Sequence, residues 1–457
     1  MKLKTVLSSA LLMAMCSGTV WAKAPADQVA KLGGELTPLG GEKAGNADGS
    51  IPAWDGGLKN PPKFDGRNYT NPFASEQPLF EITAANADKY KDKITPGQMA
   101  MLKRYDTFKM KVYPTHRTAI YDQKIYDAAK QNAATVELVA GGNGMTSYQF
   151  AYPFPILSGS DSDKAIQAMW NHITRWRGGS LQRTTVQVTP LANGDFSPVK
   201  FFEQLSFASS LTDAAEIIAK DPNVFFYFKQ EIVAPARLAG NVLLVHETLD
   251  QVKEPRRAWV YNEGQRRVRR APQVAYDGPG TASDGLRTTD NYDMWNGAPD
   301  RYNWKYLGKK EMYIAYNTFD MLSTSLKYTD IVKPGHLNPD LMRYELHRVH
   351  VIEATLKPGQ RHIYAKRVAY IDEDTWQIGV VDHFDGRGEL WRVGEGYNAT
   401  FYDVKLPWYS MNALYDLVSG RYIAMDMTNE EPKGYDFSAT GKSDDYTPSA
   451  LRRSGRK

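Results

Sequence analysis

From about residue 181 onward, apolar and polar side chains alternate with a period of two, the spacing of strands that bury one face. Val224, Phe226, Phe228 and Ile232, set against Phe225, Tyr227, Lys229 and Glu231, predict one such strand with a strongly apolar face. Further strands are predicted over 242–248, 256–261, 265–270, 304–316, 345–356, 361–371, 376–384 and 389–403, and within 376–384 the residues Trp376, Ile378, Val380 and Phe384 are expected to share a face. Asn262-Glu263-Gly264, Asp372-Glu373-Asp374 and Asp385-Gly386-Arg387-Gly388 lie between adjacent runs as turn chemistry. Strands that follow one another through short turns form an antiparallel meander.

Ahead of the strands the period lengthens. Helices are predicted over 83–91, from Thr95-Pro96-Gly97-Gln98 to about Tyr105, over 121–132 and over 161–176. In the last, Ala165, Met169, His172 and Trp176 recur at three or four and mark an apolar face. Residues 31–71 carry Gly33-Gly34, Gly40-Gly41, Gly56-Gly57 and Pro61-Pro62 with few periodic hydrophobics, which predicts an irregular surface segment. The expected fold is α+β: a large curved antiparallel sheet, a half-barrel, with helices forming a lid on one side. The chain divides into a signal peptide (1–22), an irregular Gly/Pro-rich segment (23–72), a single α+β domain with helical insertions (73–427) and a polar, loosely held tail (428–457).

The leader narrows the setting. Lys2 and Lys4, an apolar run from Val6 to Met15 and Val20-Trp21-Ala22 have the layout of a secretory signal, with cleavage expected after Ala22 and the periplasm as destination. The single cysteine, Cys16, lies inside this leader, so the mature chain is expected to hold neither disulfides nor thiolate metal sites. The formal charge of +4, from 56 basic and 52 acidic residues, is too nearly balanced for a general nucleic-acid binder.

The usual catalytic signatures are absent: there is no G-x-S-x-G elbow, no H-E-x-x-H and no G-x-G-x-x-G between a strand and a helix. Ala439-Thr440-Gly441-Lys442-Ser443 ends like a phosphate loop, but Asp436 stands where that motif needs glycine. Asn46-Ala47-Asp48-Gly49 reads as a tight turn, because Gly57 occupies the place of a calcium loop's twelfth ligand. His347 and His350 face opposite ways on a strand, while His347, His362 and His383 can meet across neighbouring strands, as ordinary half-buried histidines or as an acid/base or metal cluster. No cofactor and no metal is expected. Arg256, Arg257, Arg266, Arg267, Arg269 and Arg270 crowd one hairpin, either as a salt-bridge network or as an anion-binding or docking surface. With 10 Trp, 27 Tyr and 17 Phe, the chain has more aromatic surface than a one-layer sheet needs, and aromatic linings suit apolar ligands.

Several long motifs carry a resemblance: Leu36-Thr37-Pro38, Ala44 through Trp54, Pro114-Thr115-His116-Arg117, Tyr152-Pro153-Phe154-Pro155, Trp170-Asn171-His172 and Gly285-Leu286-Arg287-Thr288-Thr289-Asp290. In these the chain resembles the domain-of-unknown-function family numbered 1329, whose members are exported proteins. The resemblance implies encoding beside resistance-nodulation-division (RND) type exporters and an outer-membrane partner. A more distant similarity, in Arg257-Ala258-Trp259-Val260-Tyr261 with Arg266 to Arg270 and in the hairpins around Ala365-Lys366-Arg367-Val368 and Phe384-Asp385-Gly386, is to LolA-like lipoprotein-sorting proteins. That likeness implies a half-open barrel with a helical lid over an apolar cavity. The length of this chain and its N-terminal segment depart from the minimal carrier.

These readings converge on a non-enzymatic periplasmic carrier of a lipid or other hydrophobic molecule, working with an RND-type inner-membrane transporter and an outer-membrane protein. Phe226, Phe228, Trp259, Trp376, Ile378 and Phe384 are the candidate lining residues on strands, with Met169 and Trp176 on a lid helix. Arg266, Arg267, Arg269 and Arg270 are the candidate head-group or partner contacts. The alternatives are an adaptor that docks on a transporter without a ligand and a periplasmic hydrolase using a carboxylate with His383 or His350.

Overall fold

The computed structural model describes residues 23–454 apart from 252, 272, 273 and 275; the leader with its cleavage site and Cys16 lies outside the described residues. The strands are β1 (Phe80–Ile82), β2 (Met110–Val112), β3 (Ser180–Val188), β4 (Val199–Phe207), β5 (Val224–Ala234), β6 (Val242–Thr248), β7 (Arg257–Asn262) and β8 (Arg267–Arg270). They continue as β9 (Tyr302–Ala315), β10 (Tyr344–Leu356), β11 (Lys366–Asp372), β12 (Ile378–Phe384), β13 (Leu390–Phe401), β14 (Leu406–Asp416), β15 (Tyr422–Met427) and β16 (Tyr435–Asp436). All sixteen join one sheet in the order β1-β2-β10-β11-β12-β13-β14-β15-β3-β4-β5-β6-β7-β8, with β9 on β10 and β16 on β3. The expected α+β class with a large open sheet is what forms. Two meanders, β3–β8 and β9–β15, meet where β15 pairs antiparallel with β3. Right-handed twist accumulated over so many strands curls an open sheet and gives it a concave face.

Beyond the predicted strands, β14 and β15 come from 404–427, where alternation is obscured because every residue of Leu406–Asp416 is buried. A strand covered on both faces loses its polar alternation. A bulge in β5 against β6, between Val224 and Phe226, brings Phe225 and Phe226 into the same core, where strict alternation would separate them.

The two longest helices lie in the core of the concave face. Gln123–Thr135 contributes Ile125 and Ala129, and Asp161–Ile173 is buried at every position from Ala165 to Ile173. Ser160 Oγ accepts the Asp163 N–H at 3.2 Å while Asp163 Oδ2 accepts the Ser160 N–H at 2.9 Å, a reciprocal cap that starts the second helix at its predicted place. The shorter helix Pro96–Arg104, capped by Thr95 and Gln98, packs on the other face against β12 and β13. There Tyr344, Val380, Val393, Tyr397 and Met411 form a second core with β1 and β2. The expected helix over 83–91 is reduced to a single turn of 3₁₀ helix, Ala87–Tyr90.

The C-terminal segment is not loosely held as its polarity suggested. Tyr446 stacks on Tyr227 with ring centroids 5.3 Å apart, and Leu451 is fully buried against the face of β5–β7 opposite the concave one. A polar composition conceals the few apolar side chains that anchor it. The N-terminal segment is irregular as expected but fastened: a Cβ at Gly40, where φ is +92°, would lie 1.8 Å from the Pro155 carbonyl oxygen, so only glycine fits that crossing.

Candidate ligand cavity

The concave face is largely filled by the chain itself. Between β8 and β9 an irregular segment, here the plug (276–298), turns into the sheet and buries Arg287, Thr288, Asp290, Asn291, Asp293, Trp295 and Asn296. Buried irregular backbone must find partners for its polar groups: the plug carbonyls of Asp293 and Asn296 accept from His172 and Arg256, while its aspartates form ionic struts. Asp293 pairs with Arg175 and, at 2.8 Å, with Arg177. Asp290 pairs with Arg367 at 2.6 Å, and His362 Nε2 lies 3.1 Å from it. Burial alone would raise both aspartates' pKa values; the facing guanidinium groups outweigh it and hold both well below the usual carboxylate range.

His172 locks the helix to the plug. Its Nε2–H donates to the Asp293 carbonyl at 2.9 Å and its Nδ1 accepts the Ile378 N–H at 3.3 Å, which fits the neutral ring; burial pushes its pKa down to about 3. Asn171 holds Phe154 through both its amide atoms at 2.8 Å. Asn171, His172 and Asp290 of the sequence motifs are thus interior struts.

One cavity of about 60 Å³ remains between the concave face of β5–β6 and the plug, room for roughly four waters. Phe226, Phe228, Leu243, Val245 and Val274 supply its apolar wall, and Gln230, Glu247, Arg256, Thr281, Arg287, Thr289, Tyr292 and Asn296 its polar atoms. Arg256 is occupied: it pairs with Glu247 at 2.6 Å and donates to the carbonyls of Val274 and Asn296. Arg287 is different, being buried with no hydrogen bond or ion pair from its guanidinium to any described residue. On the far side of the turn 280–284 lies an open groove of about 460 Å³ bordered by Leu191, Phe196, Val199, Leu238 and Ala282. Ala282 and Asp284 in that turn both sit at φ +50°, a left-handed conformation unfavourable for residues other than glycine.

Of the eight lining residues expected from the sequence, the structure places Phe226 and Phe228 on this cavity. Met169 of the helix Asp161–Ile173, Trp376 and Ile378 are packed solid in the core of the concave face, where Trp376 stacks on His350 at 4.6 Å. Trp176 lies against Phe150 and Phe207 in the same core. Trp259 is on the opposite face beside His246, because Leu244 and Trp259 are cross-strand partners pointing away from the plug. Phe384 also faces the other way, under Lys366, and the expected shared face of 376–384 is broken: Ile378 belongs to the concave core, Val380 and Phe384 to the opposite one. The cause is an irregularity in the pairing with β11 between Tyr370 and Ile371, a one-residue offset that reverses the side-chain faces.

Arg266, Arg267, Arg269 and Arg270 are exposed on the β7–β8 edge hairpin and line neither the cavity nor the groove. None makes an ion pair among the described residues, whereas Arg257 of the same run pairs with Asp221 and Glu254. The arginine that reaches the cavity, Arg287, lies inside the motif from Gly285 to Asp290, but nothing in its spacing marks it, since it sits on irregular backbone.

The histidines divide. His362 and His383 both flank Tyr364, at 5.4 and 4.4 Å between ring centroids, while His347 stands apart with Asp372 and Asp374. Those three offer ligand atoms within 4.8 Å of one another. Both Asp374 oxygens, however, are held by Arg117, at 2.7 and 2.8 Å, so the group is part of a buried ion network rather than an open coordination site. Arg348 and Lys309 reach Glu373 in the same turn, and together these pairs tie the segment around residues 41–52 to the β11–β12 turn. Burial pushes the Asp372 carboxyl up to about 7.

No helix among the described residues is long and apolar enough to cross a membrane. Over 448 residues, 97% of each chain, the sequence is 59% identical to an uncharacterized protein of Pseudomonas aeruginosa. Among solved structures, a DUF1329 family protein of Desulfovibrio piger aligns with 60% of this chain and 90% of its own at 14% identity and a TM-score of 0.39. A LolA superfamily protein of Nitrosomonas europaea aligns with 60% of this chain and 92% of its own at 11% identity and a TM-score of 0.35. Residues 81–452 match the family described as "Protein of unknown function (DUF1329)", and the chain belongs to that family.

Proposed function

We propose that this protein is a non-enzymatic periplasmic carrier that shields a hydrophobic molecule against the concave face of β5–β6. The observation that carries the reading is the roof of the cavity: Phe226, Phe228, Leu243 and Val245 are covered by irregular plug backbone instead of a helix or a second sheet. Each methylene moved from water onto such a wall contributes about 0.8 kcal/mol, so burial alone can hold a cargo. A cavity of about 60 Å³ is too small for a long chain. Loading therefore requires the turn 280–284 to move and join cavity to groove. The turn is held by Gln187 Nε2, which donates to the carbonyls of Thr281 and Ala282 at 3.1 and 2.7 Å, and by an exposed pair of Asp284 with Arg421 and a bond from Thr189, of which the exposed contacts cost little to break.

The leader pattern supports the periplasmic setting. The unpaired arginines 266, 267, 269 and 270 supply a surface for a partner, in this reading an RND-type exporter or an outer-membrane protein. The test is mass spectrometry of an organic extract from protein purified from its native periplasm without detergent. A stoichiometric apolar compound, lost from a folded Phe226→Asp/Phe228→Asp variant, is the expected result; a clean extract from the folded wild type refutes it. A second reading, a docking adaptor without ligand, is favoured by the close filling of the concave face by helix and plug, and it requires that clean extract.

A further inference from the structure

We infer that the cargo is an anionic amphiphile, an apolar body carrying one carboxylate or phosphate, and that Arg287 binds its head. The inference rests on the carrier reading and names the cargo's chemical class. Nine arginines are buried among the described residues: Arg117, Arg175, Arg177, Arg183, Arg287, Arg343, Arg348, Arg367 and Arg392. Eight of them have a carboxylate within ion-pair distance. Arg287, 6% exposed, has none, and its Nε is buried without a hydrogen-bond partner.

An uncompensated buried guanidinium is among the costliest groups a fold can contain, and ordinarily it is paired, exposed or replaced. Burial weakens its hold on its proton, in keeping with that cost. The nearest acids are committed elsewhere: Glu203 accepts from Arg183 at 2.6 Å and from Gln230 at 2.6 Å, and Asp426 pairs with Arg183 at 2.8 Å. Arg287 borders the apolar cavity on one side and the small polar space beside Glu203 and Asp426 on the other. A guanidinium at the polar end of a wall made by Phe226, Phe228 and Val245 matches a molecule with an acidic head and a hydrocarbon body. Its planar donor set suits the two oxygens of a carboxylate or phosphate.

The experiment titrates the full mature chain, by calorimetry, with octanoate, octyl phosphate and octanol as probes of equal chain length. Wild-type protein is expected to bind octanoate or octyl phosphate at least tenfold more tightly than octanol, and the stronger of the two acids identifies the head. Arg287→Gln should lose that preference and keep its affinity for octanol. Equal affinity of wild type for octanol and both acids, or undiminished acid binding by Arg287→Gln, overturns the inference and leaves the carrier reading standing. If none of the three binds, the carrier reading falls and the inference with it. The wild-type comparison needs no variant, so it decides even if Arg287→Gln does not fold. A further readout is independent of any ligand: Arg287→Met should unfold at a higher urea concentration than wild type. A less stable Arg287→Met would mean that the guanidinium is satisfied by the protein, which also overturns the assignment.

Discussion

Asp293→Asn tests whether the plug is held by charge. The substitution keeps the shape of the side chain but leaves Arg175 and Arg177, each with a side chain 1% exposed, without their shared carboxylate. Breaking a buried ion pair from one side costs about 3–5 kcal/mol, because the remaining charge stays desolvated. The sign with pH follows from the depressed pKa of Asp293. Its stabilisation is fully present above the unfolded carboxylate value near 4 and is lost as pH falls through the folded one. Wild type and variant should therefore differ most at pH 7 and converge in acid, where wild type is itself protonated. Urea unfolding followed by tryptophan fluorescence measures the difference; with a slope of about 3 kcal/mol per molar, the midpoint should fall by roughly 1 to 1.7 M. Hydrogen exchange should quicken across 286–296. A midpoint within about 0.3 M of wild type at pH 7, with unchanged plug protection, would refute the electrostatic account.

Three further outcomes are expected. Asp382 is buried with Oδ2 unpartnered and its carboxyl pushed up to about 7. Wild type should lose stability as pH rises from about 4 through 7, and Asp382→Asn should flatten that loss in pH-dependent unfolding; a variant with the wild-type slope would contradict it. Tyr446→Ala removes the stack on Tyr227 and the 2.8 Å bond to Ser206 Oγ, and should cost about 3 kcal/mol in urea unfolding. A neutral result would mean that the C-terminal segment contributes nothing. Gly40→Ala sets a Cβ against the Pro155 carbonyl and should free the N-terminal segment to limited proteolysis without unfolding the sheet; an unchanged digestion pattern would show that this crossing does not hold it.

Local rules sufficed where one short stretch contains its own physics. Thr95-Pro96-Gly97-Gln98 starts a helix because cap, proline and returning glutamine lie within four residues, and Asp161 begins one for the same kind of reason. The strand runs were legible where one face stays polar, as at the start of β9, where buried Tyr302 and Trp304 alternate with exposed Asn303 and Lys305, and β6 was found at its predicted bounds Val242–Thr248. Leu406–Asp416 was not legible, since burial on both faces erases the period.

Only a small part of the candidate site was visible, for the same reason. Phe226 and Phe228 lie on the cavity because β5 alternates beneath it, whereas Trp259, Trp376, Ile378 and Phe384 were assigned by aromaticity and period alone and lie elsewhere. A single register offset in β11–β12 decided which side Ile378 and Phe384 face, and no local rule contains an offset set by pairing with another strand. The sequence alone thus determined the class of fold, the large antiparallel sheet and the start of its principal helices, all properties of contacts between near neighbours. Tertiary structure decided that the segment between β8 and β9 folds back into the concave face and leaves Arg287 without a carboxylate beside Phe226 and Phe228. The pairing of a buried charge can join residues more than a hundred positions apart, as Arg175 with Asp293, so only the folded chain can reveal which arginine is left unpaired.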